Sequence, residues 1–282
     1  MAFSHPLWLS LMKKILKSKI FYTFITFILI LSSIIYIFWG AYNSYNFRTS
    51  KDTIYSWEDV DLNGLRDLNI SGSDLVRFPE LKFRIDHQAG PIIIVDGMSE
   101  PHGYLDGIPT VFFYYLHEEP RMKHFVRRCL YTGTTAEHPE WVISEAEEAR
   151  KNGIDYQKVN IGSAYVSPDP EVDELIAFLD SVPENAWLHF HCLRGRGRTT
   201  IMMTMYDIMK NAPQVSLHDI VRRQHLIGAE DLFNLEVWKT GTYDRNQLEQ
   251  RKQFIEKFYQ FIVQRKAGGI QKWSEWNAPQ KE

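Results

Sequence analysis

Ten residues constrain the fold of this chain more than any others: His191-Cys192-Leu193-Arg194-Gly195-Arg196-Gly197-Arg198-Thr199-Thr200. Trp187-Leu188-His189-Phe190 before them reads as a buried strand, and Ile201 to Met209 after them as a helix. A strand that enters a helix through a short glycine-bearing loop belongs to α/β folds, whose sites lie at the carboxyl ends of the strands. Backbone N–H groups and the positive helix end converge in such a loop and form an anion cradle. The same field favours thiolate, the nucleophilic form of a cysteine. Gly195 and Gly197 let the backbone bend inward where a side chain would block it. Arg198 presents a fork of N–H groups that fits one phosphate. Three arginines within five residues repel one another unless an anion joins them. The loop is therefore suited to attack by sulfur on a phosphate ester.

With its preceding His191 and following Thr199, this loop resembles the signature of cysteine-dependent phosphatases. The chain has 282 residues, a net charge of −3 and 44% hydrophobic residues, which suits one sizeable domain plus an extra segment. That charge balance predicts no nucleic-acid partner. The two cysteines, Cys129 and Cys192, make no disulfide framework, and Cys129 reads as a small core residue.

A second signal lies at the N-terminus. Residues 20–41 carry no charge and are long enough to span a bilayer, which needs about 20 apolar residues. Tyr22, Tyr36, Trp39 and Tyr42 sit near its ends, as interfacial aromatics do. Lys13, Lys14, Lys17 and Lys19 precede it, against Arg48 and Lys51 after it. The positive-inside rule then predicts a single-pass membrane protein with a cytoplasmic N-terminus and an extracytoplasmic (periplasmic) catalytic portion. The expected organisation is a basic segment 1–19, an anchor 20–41, a linker 42–54 and one phosphatase-like domain 55–282.

Beyond the anchor, residues 68–73 read as a strand leaving into a turn, and 91–96 as a buried parallel strand. Residues 103–109 read as a turn and 110–115 as a further strand. Helices are expected over 140–152, 172–181 and 247–265, with Ser216 capping another near 217–221. Leu248, Phe254, Ile255, Phe258, Phe261 and Ile262 are expected to face inward. Arg121-Met122-Lys123-His124-Phe125-Val126-Arg127-Arg128 reads as a solvated helix face.

The chain also resembles the bacterial protein-tyrosine-phosphatase-like phytases, also called cysteine phytases or inositol polyphosphate phosphatases. The resemblance runs from about Asn46 to Trp276. It rests on Asn46-Phe47-Arg48-Thr49, Leu68 to Ser73, Ile94-Val95-Asp96, His102-Gly103-Tyr104 and Gly107-Ile108-Pro109. Ala186 to Cys192, Gly197 to Thr200, Arg223-Gln224-His225 and Trp273 to Trp276 continue it. It implies a phosphatase-type α/β core, a mostly parallel central sheet flanked by helices, with a small accessory β region. It further implies removal of phosphate from inositol phosphates, with no cofactor and no metal.

By the same resemblance Cys192 is the nucleophile that forms a cysteinyl-phosphate. Arg198 and the backbone of Leu193, Arg194, Gly195, Arg196 and Gly197 clamp the transferring group. Thr199 eases departure of the thiolate, and His191 orients the loop. Gln224 and His225 either help place the hydrolytic water or cap a helix end.

The sequence departs from the family pattern in three places. The family's general-acid Asp falls on Ser163 or Ala164, and a missing proton donor costs about 10²- to 10⁴-fold in rate. Asp169 is the nearest replacement, although Pro168-Asp169-Pro170 is the usual chemistry of a turn and helix start. Arg194 and Arg196 add charge to the loop, either to meet a polyphosphorylated ring or lipid headgroup or to hold anions too tightly. The family's Arg after Ile-Val-Asp is replaced around Gly97-Met98. Two functions follow: a membrane-anchored phosphatase of inositol polyphosphates, phosphoinositides or phosphotyrosine, or a pseudophosphatase that binds polyphosphorylated ligands.

Overall fold

The computed structural model describes residues 18–85, 90–111, 121–134, 139–162, 168–237 and 243–278. These described residues divide into two compact units, those within 1–41 and 115–137, and those within 42–114 and 138–282.

The first unit holds helix α1 (Lys19–Tyr42), whose segment Lys19–Trp39 is long and apolar enough to cross a membrane. It also holds α3 (Arg121–Thr132), in which Arg127 donates twice to the Ile37 carbonyl, at 2.9 and 2.7 Å. Arg127 is thus buried in the basic stretch expected to be a solvated face, and Cys129 is half-buried rather than a core residue.

In the second unit β1 (Arg48–Thr49), β2 (Ile70–Ser73), β3 (Ile92–Asp96), β6 (Asp155–Lys158) and β7 (Trp187–His191) form a sheet in the order β1-β2-β7-β3-β6. β1 runs antiparallel and the others parallel. β4 (His102–Leu105) and β5 (Ile108–Val111) make a separate hairpin. Asp106 and Gly107 turn it with φ of 48° and 78°, the doubly left-handed geometry that an Asp-Gly pair tolerates. The strand expected over 110–115 therefore starts earlier, and residues 112–120 lie outside the described ones.

Register explains the layering. Pairs Ile94↔His189 and Asp96↔His191, with Ser71↔His189 and Asp96↔Lys158, put these side chains on one face. The opposite face carries Ile70, Val95, Leu188 and Phe190, all buried. It packs with α6 (Gly197–Asn211), through Ile201, Met202, Met203 and Met205, in the main core. α5 (Asp169–Ser181) joins that core through Val172, Leu175, Ile176 and Leu179, a helical spacing.

The remaining helices are α2 (Phe78–Arg84), α4 (Glu145–Lys151), α7 (Leu217–Leu226), α8 (Arg245–Lys266) and α9 (Trp273–Trp276). The inward face expected for α8 is buried at all six positions. Phe254, Phe258 and Phe261 meet Trp273 with ring centroids 5.5 to 5.9 Å apart, which docks α9. Ser216 caps α7 by accepting from the Asp219 N–H at 3.1 Å. The helix expected over 140–152 is shorter because Ser144 and Glu147 form a capping box that starts α4 at Glu145. The polar stretch 42–54 is not a free linker: Arg48, Thr49 and Ser50 are buried at the sheet edge.

Candidate active site

Cys192 follows β7 directly and Gly197 opens α6, so residues 192–196 bridge a strand end and a helix N-terminus. Cys192 is buried beside Leu75, Met98 and Leu193, at 3% exposure. The Thr199 hydroxyl lies 3.1 Å from its Sγ. The turn needs glycine at 195: φ is +66°, and a Cβ there would stand 2.4 Å from the Asp74 nitrogen and the Ser73 carbonyl carbon.

Two arginines brace the loop from different sides. Arg48, 1% exposed, donates to the carbonyls of Gly195 at 2.7 Å and Asn46 at 3.0 Å, and to Thr200 Oγ1 at 3.1 Å. The Asn46 side-chain amide donates to the Arg194 carbonyl at 2.8 Å. Arg198 turns toward the loop after β3. It donates to the Gly97 carbonyl at 2.9 Å and to both oxygens of Glu100, at 2.9 and 2.8 Å. Burial lowers the Arg198 pKa, but the Glu100 hydrogen bonds and the Cys192 charge outweigh it and raise it overall. Burial opposes ionisation of Glu100 too, and the Arg198 hydrogen bond prevails and holds its carboxyl below the usual range.

Glu100 and Arg48 are site residues that the sequence reading left without a role. Glu100 had a signal, since a carboxylate just past a parallel strand sits at the carboxyl end of the sheet. Arg48 stood in a stretch that carries the family resemblance, but its contacts with Gly195 and Thr200 join residues 147 and 152 apart, and no local spacing shows them. Tyr243 is a third addition. Its hydroxyl packs on Gly197, 2.8 Å from where a Cβ would be, and burial with the Cys192 charge raises its pKa. Arg196 is half exposed, its Nε 3.4 Å from Glu230 Oε1. Burial raises the Glu230 pKa against the pull of Arg196, Arg251 and Arg48.

Other sequence expectations meet different surroundings. Asp169, the replacement acid, is the first residue of α5, and its Oδ1 accepts from Trp273 Nε1 at 2.6 Å and Asn277 Nδ2 at 3.1 Å. Its carboxylate ties the C-terminal segment to α5, which is the helix-start reading. Gln224 is buried at 1% exposure and donates to Asp207 at 2.8 Å, so it is a core residue rather than a water-placing one. Asp207 also receives Arg223, another fully buried side chain. His225 Nδ1 meets the Ala229 carbonyl at 2.9 Å at the end of α7, which is the helix-end reading. Ser163 and Ala164 lie outside the described residues. His191 is buried on the polar face of the sheet, 3.1 Å from Glu145 and 3.4 Å from Asp96.

A family model described as PTP-like phytase, inositol hexakisphosphate, matches residues 110–210. Effector protein hopD2 of Pseudomonas syringae pv. tomato is 25% identical over 265 residues, covering 82% of this chain and 56% of that protein. The PTP-like myo-inositol phosphatase of Mitsuokella multacida, solved in complex with myo-inositol-(1,3,4,5)-tetrakisphosphate, is similar in fold. Its TM-score is 0.69 at 26% identity, over 86% of this chain and 47% of that one. A PTP-like phytase from Bdellovibrio bacteriovorus has TM-score 0.63 at 25% identity, over 84% of this chain and 90% of its own. The chain thus spans about half the length of hopD2 and of the Mitsuokella chain.

Proposed function

The chain belongs to the protein-tyrosine-phosphatase-like phytase family, and on that premise we propose that it is a membrane-anchored cysteine-dependent phosphatase. Its substrates in this reading are phosphate monoesters of inositol polyphosphates, with phosphoinositide headgroups and phosphotyrosine as related polyanions. The observation that carries it is Cys192 at a helix N-terminus, with Thr199 at 3.1 Å and Arg198 oriented by Glu100.

In the first step the Cys192 thiolate attacks phosphorus. The S–P bond forms as the ester P–O bond breaks, and the leaving alkoxide takes a proton from solvent water. Arg198 and the loop N–H groups stabilise the equatorial oxygens as charge develops on them. In the second step water attacks the cysteinyl-phosphate. A P–O bond forms, the S–P bond breaks, the water's proton passes to solvent and inorganic phosphate leaves. The Thr199 hydroxyl then hydrogen-bonds the departing thiolate.

A second reading, a pseudophosphatase that binds polyphosphates, is favoured by one observation. Neither residues 161–166 nor Leu193 to Arg198 contain an Asp or Glu that could protonate the leaving group. Aryl phosphates need little protonation, so they separate a competent nucleophile from a complete enzyme. The test is phosphate release by the full chain in detergent, beside Cys192→Ser, on inositol hexakisphosphate and an aryl phosphate. Release from both, abolished in the variant, supports the phosphatase. Release from the aryl ester alone marks a missing acid. No release with retained polyphosphate binding supports the second reading.

The apolar reach of α1 supports anchoring, and the lysines before it support a cytoplasmic N-terminus. Reporter fusions at the C-terminus check the orientation: activity of a cytoplasm-only reporter contradicts it.

A further inference from the structure

Beneath the Cys loop, four side chains converge in a way the phosphatase reading does not use. Asp96 and His191 end the adjacent strands β3 and β7 in register, His102 opens β4, and Glu145 opens α4. One oxygen or nitrogen from each lies within 4.8 Å of all the others. Asp96, Glu145 and His191 are buried, and the His102 side chain is only 6% exposed.

The hydrogen-bond roles leave a positive charge to be supplied. His102 Nδ1 lies 2.8 Å from the Glu100 carbonyl, which only accepts, so Nδ1 carries the proton. Its Nε2 faces Glu145 Oε2 at 2.8 Å. A bare Nε2 cannot face a carboxylate at that distance; it needs either a second proton or a shared cation. An Nδ1–H on a backbone carbonyl is also the outer partner that a metal-ligating histidine uses.

His191 distinguishes the two cases. Its Nε2 is 3.1 Å from Glu145 Oε2 and 3.4 Å from Asp96 Oδ1, with hydrogen-bond alignment to neither. Its Nδ1 also has no hydrogen-bond partner, in a side chain with no exposure. A doubly protonated ring would leave charged N–H groups buried and unsatisfied, which is costly. A neutral ring bound through Nε2 removes the buried charge and leaves one neutral Nδ1–H without a partner. Asp96 Oδ2 is taken by Tyr156 at 2.6 Å and Lys158 at 2.7 Å, and Oδ1 accepts from the Met98 N–H at 2.7 Å. Glu145 Oε1 accepts from Tyr104 at 3.1 Å. Glu145 Oε2 faces both Nε2 atoms, while Asp96 approaches His191 Nε2 through Oδ1 at 3.4 Å and His102 Nε2 through Oδ2 at 3.3 Å. These approaches of 2.8, 3.1, 3.3 and 3.4 Å compare with the edge of about 3.3 Å of a tetrahedron whose ligands sit about 2.0–2.1 Å from zinc.

We propose that Asp96, His102, Glu145 and His191 bind one divalent cation of the zinc class, as a closed structural site beneath the Cys loop. Two imidazoles and two carboxylates are a donor set that suits such an ion. The ion joins the ends of β3 and β7 to the hairpin and to α4, and holds His191, the residue before Cys192. It takes no part in phosphoryl transfer, so the proposal stands or falls apart from the phosphatase reading.

The test uses the full chain purified in detergent, without added metal or chelator. Elemental analysis is expected to find about one zinc-class ion per chain. Co²⁺ loading is expected to give the visible bands of a tetrahedral N/O site. A strong chelator is expected to lower the melting temperature, and Zn²⁺ to restore it. His102→Gln is expected to weaken Zn²⁺ by more than about 10-fold in chelator competition. If that variant does not fold, the native chain's own chelator titration decides. Negligible metal as purified and after dialysis against Zn²⁺, with a melting temperature indifferent to both additions, overturns the site and leaves a protonated histidine–carboxylate network.

Discussion

Arg198 and Glu100 meet at two points, Nη2 to Oε1 at 2.8 Å and Nη1 to Oε2 at 2.9 Å. The pair comes from the start of α6 and the loop after β3, 98 residues apart in the chain. It fixes the plane of the guanidinium before any substrate arrives, which is the preorganisation an electrostatic clamp requires. Glu100→Gln removes the charge and one acceptor while keeping the shape. Losing a charge-assisted bond of this kind costs about 1.5–3 kcal/mol, so kcat/KM on an aryl phosphate is expected to fall about 10- to 100-fold. Steady-state kinetics check it, and an unchanged kcat/KM removes Glu100 from the site.

Thr199 and Cys192 are expected to separate the two chemical steps. Thr199→Val removes the hydroxyl 3.1 Å from Sγ without changing the volume of a fully buried side chain. The first step is expected to persist and the second to slow by about 10-fold or more, since the thiolate then leaves without its hydrogen bond. Rapid-quench kinetics would show a burst of the leaving alcohol or phenol followed by a slow phase. Thr199→Ser is expected to restore the steady state. Equal loss of both phases in Thr199→Val counts against this role.

Asp74 makes stability depend on pH. Its Oδ1 receives Arg77 Nη1 at 2.7 Å and the Tyr45 N–H at 2.8 Å, yet burial pushes its pKa from 3.8 up to about 6. The folded state therefore binds this proton more tightly than the unfolded state. Its contribution is fully present below about pH 4 and is lost as pH rises through about 6. Two pKa units correspond to about 3 kcal/mol. Asp74→Asn is expected to remove that slope. Melting temperatures of both proteins between pH 4 and 7 check it, and parallel curves would rule it out.

Much of the fold follows from local pattern. The β-branched run 92–95 and the stretch 187–190 became adjacent parallel strands, because burial on both faces suits the middle of a sheet. The spacing of Leu248, Phe254, Phe258 and Phe261 predicted the buried face of α8. Element ends were less legible. The start of α4 was decided by the Ser144–Glu147 box and the hairpin by Asp106-Gly107, two short-range details inside longer ambiguous stretches. Residues 42–54 read as a linker because polarity there looks like solvation. Arg48 is polar for the opposite reason, since the buried Gly195 carbonyl and Thr200 hydroxyl take its hydrogen bonds.

By itself the sequence determined the cysteine, arginine and threonine of one loop, because a strand, a glycine turn and a helix start are encoded within ten adjacent residues. It also determined the apolar segment near the N-terminus, where length and composition suffice. Only the tertiary structure decided what surrounds the loop. Glu100 on Arg198, Arg48 on Gly195, and the Asp96–His102–Glu145–His191 cluster join residues from separate elements, and only the packing of those elements brings them together. It likewise assigned Asp169 to Trp273 and Gln224 to Asp207. A polar side chain's role depends on which partners the packed chain presents to it, and local spacing carries no record of those.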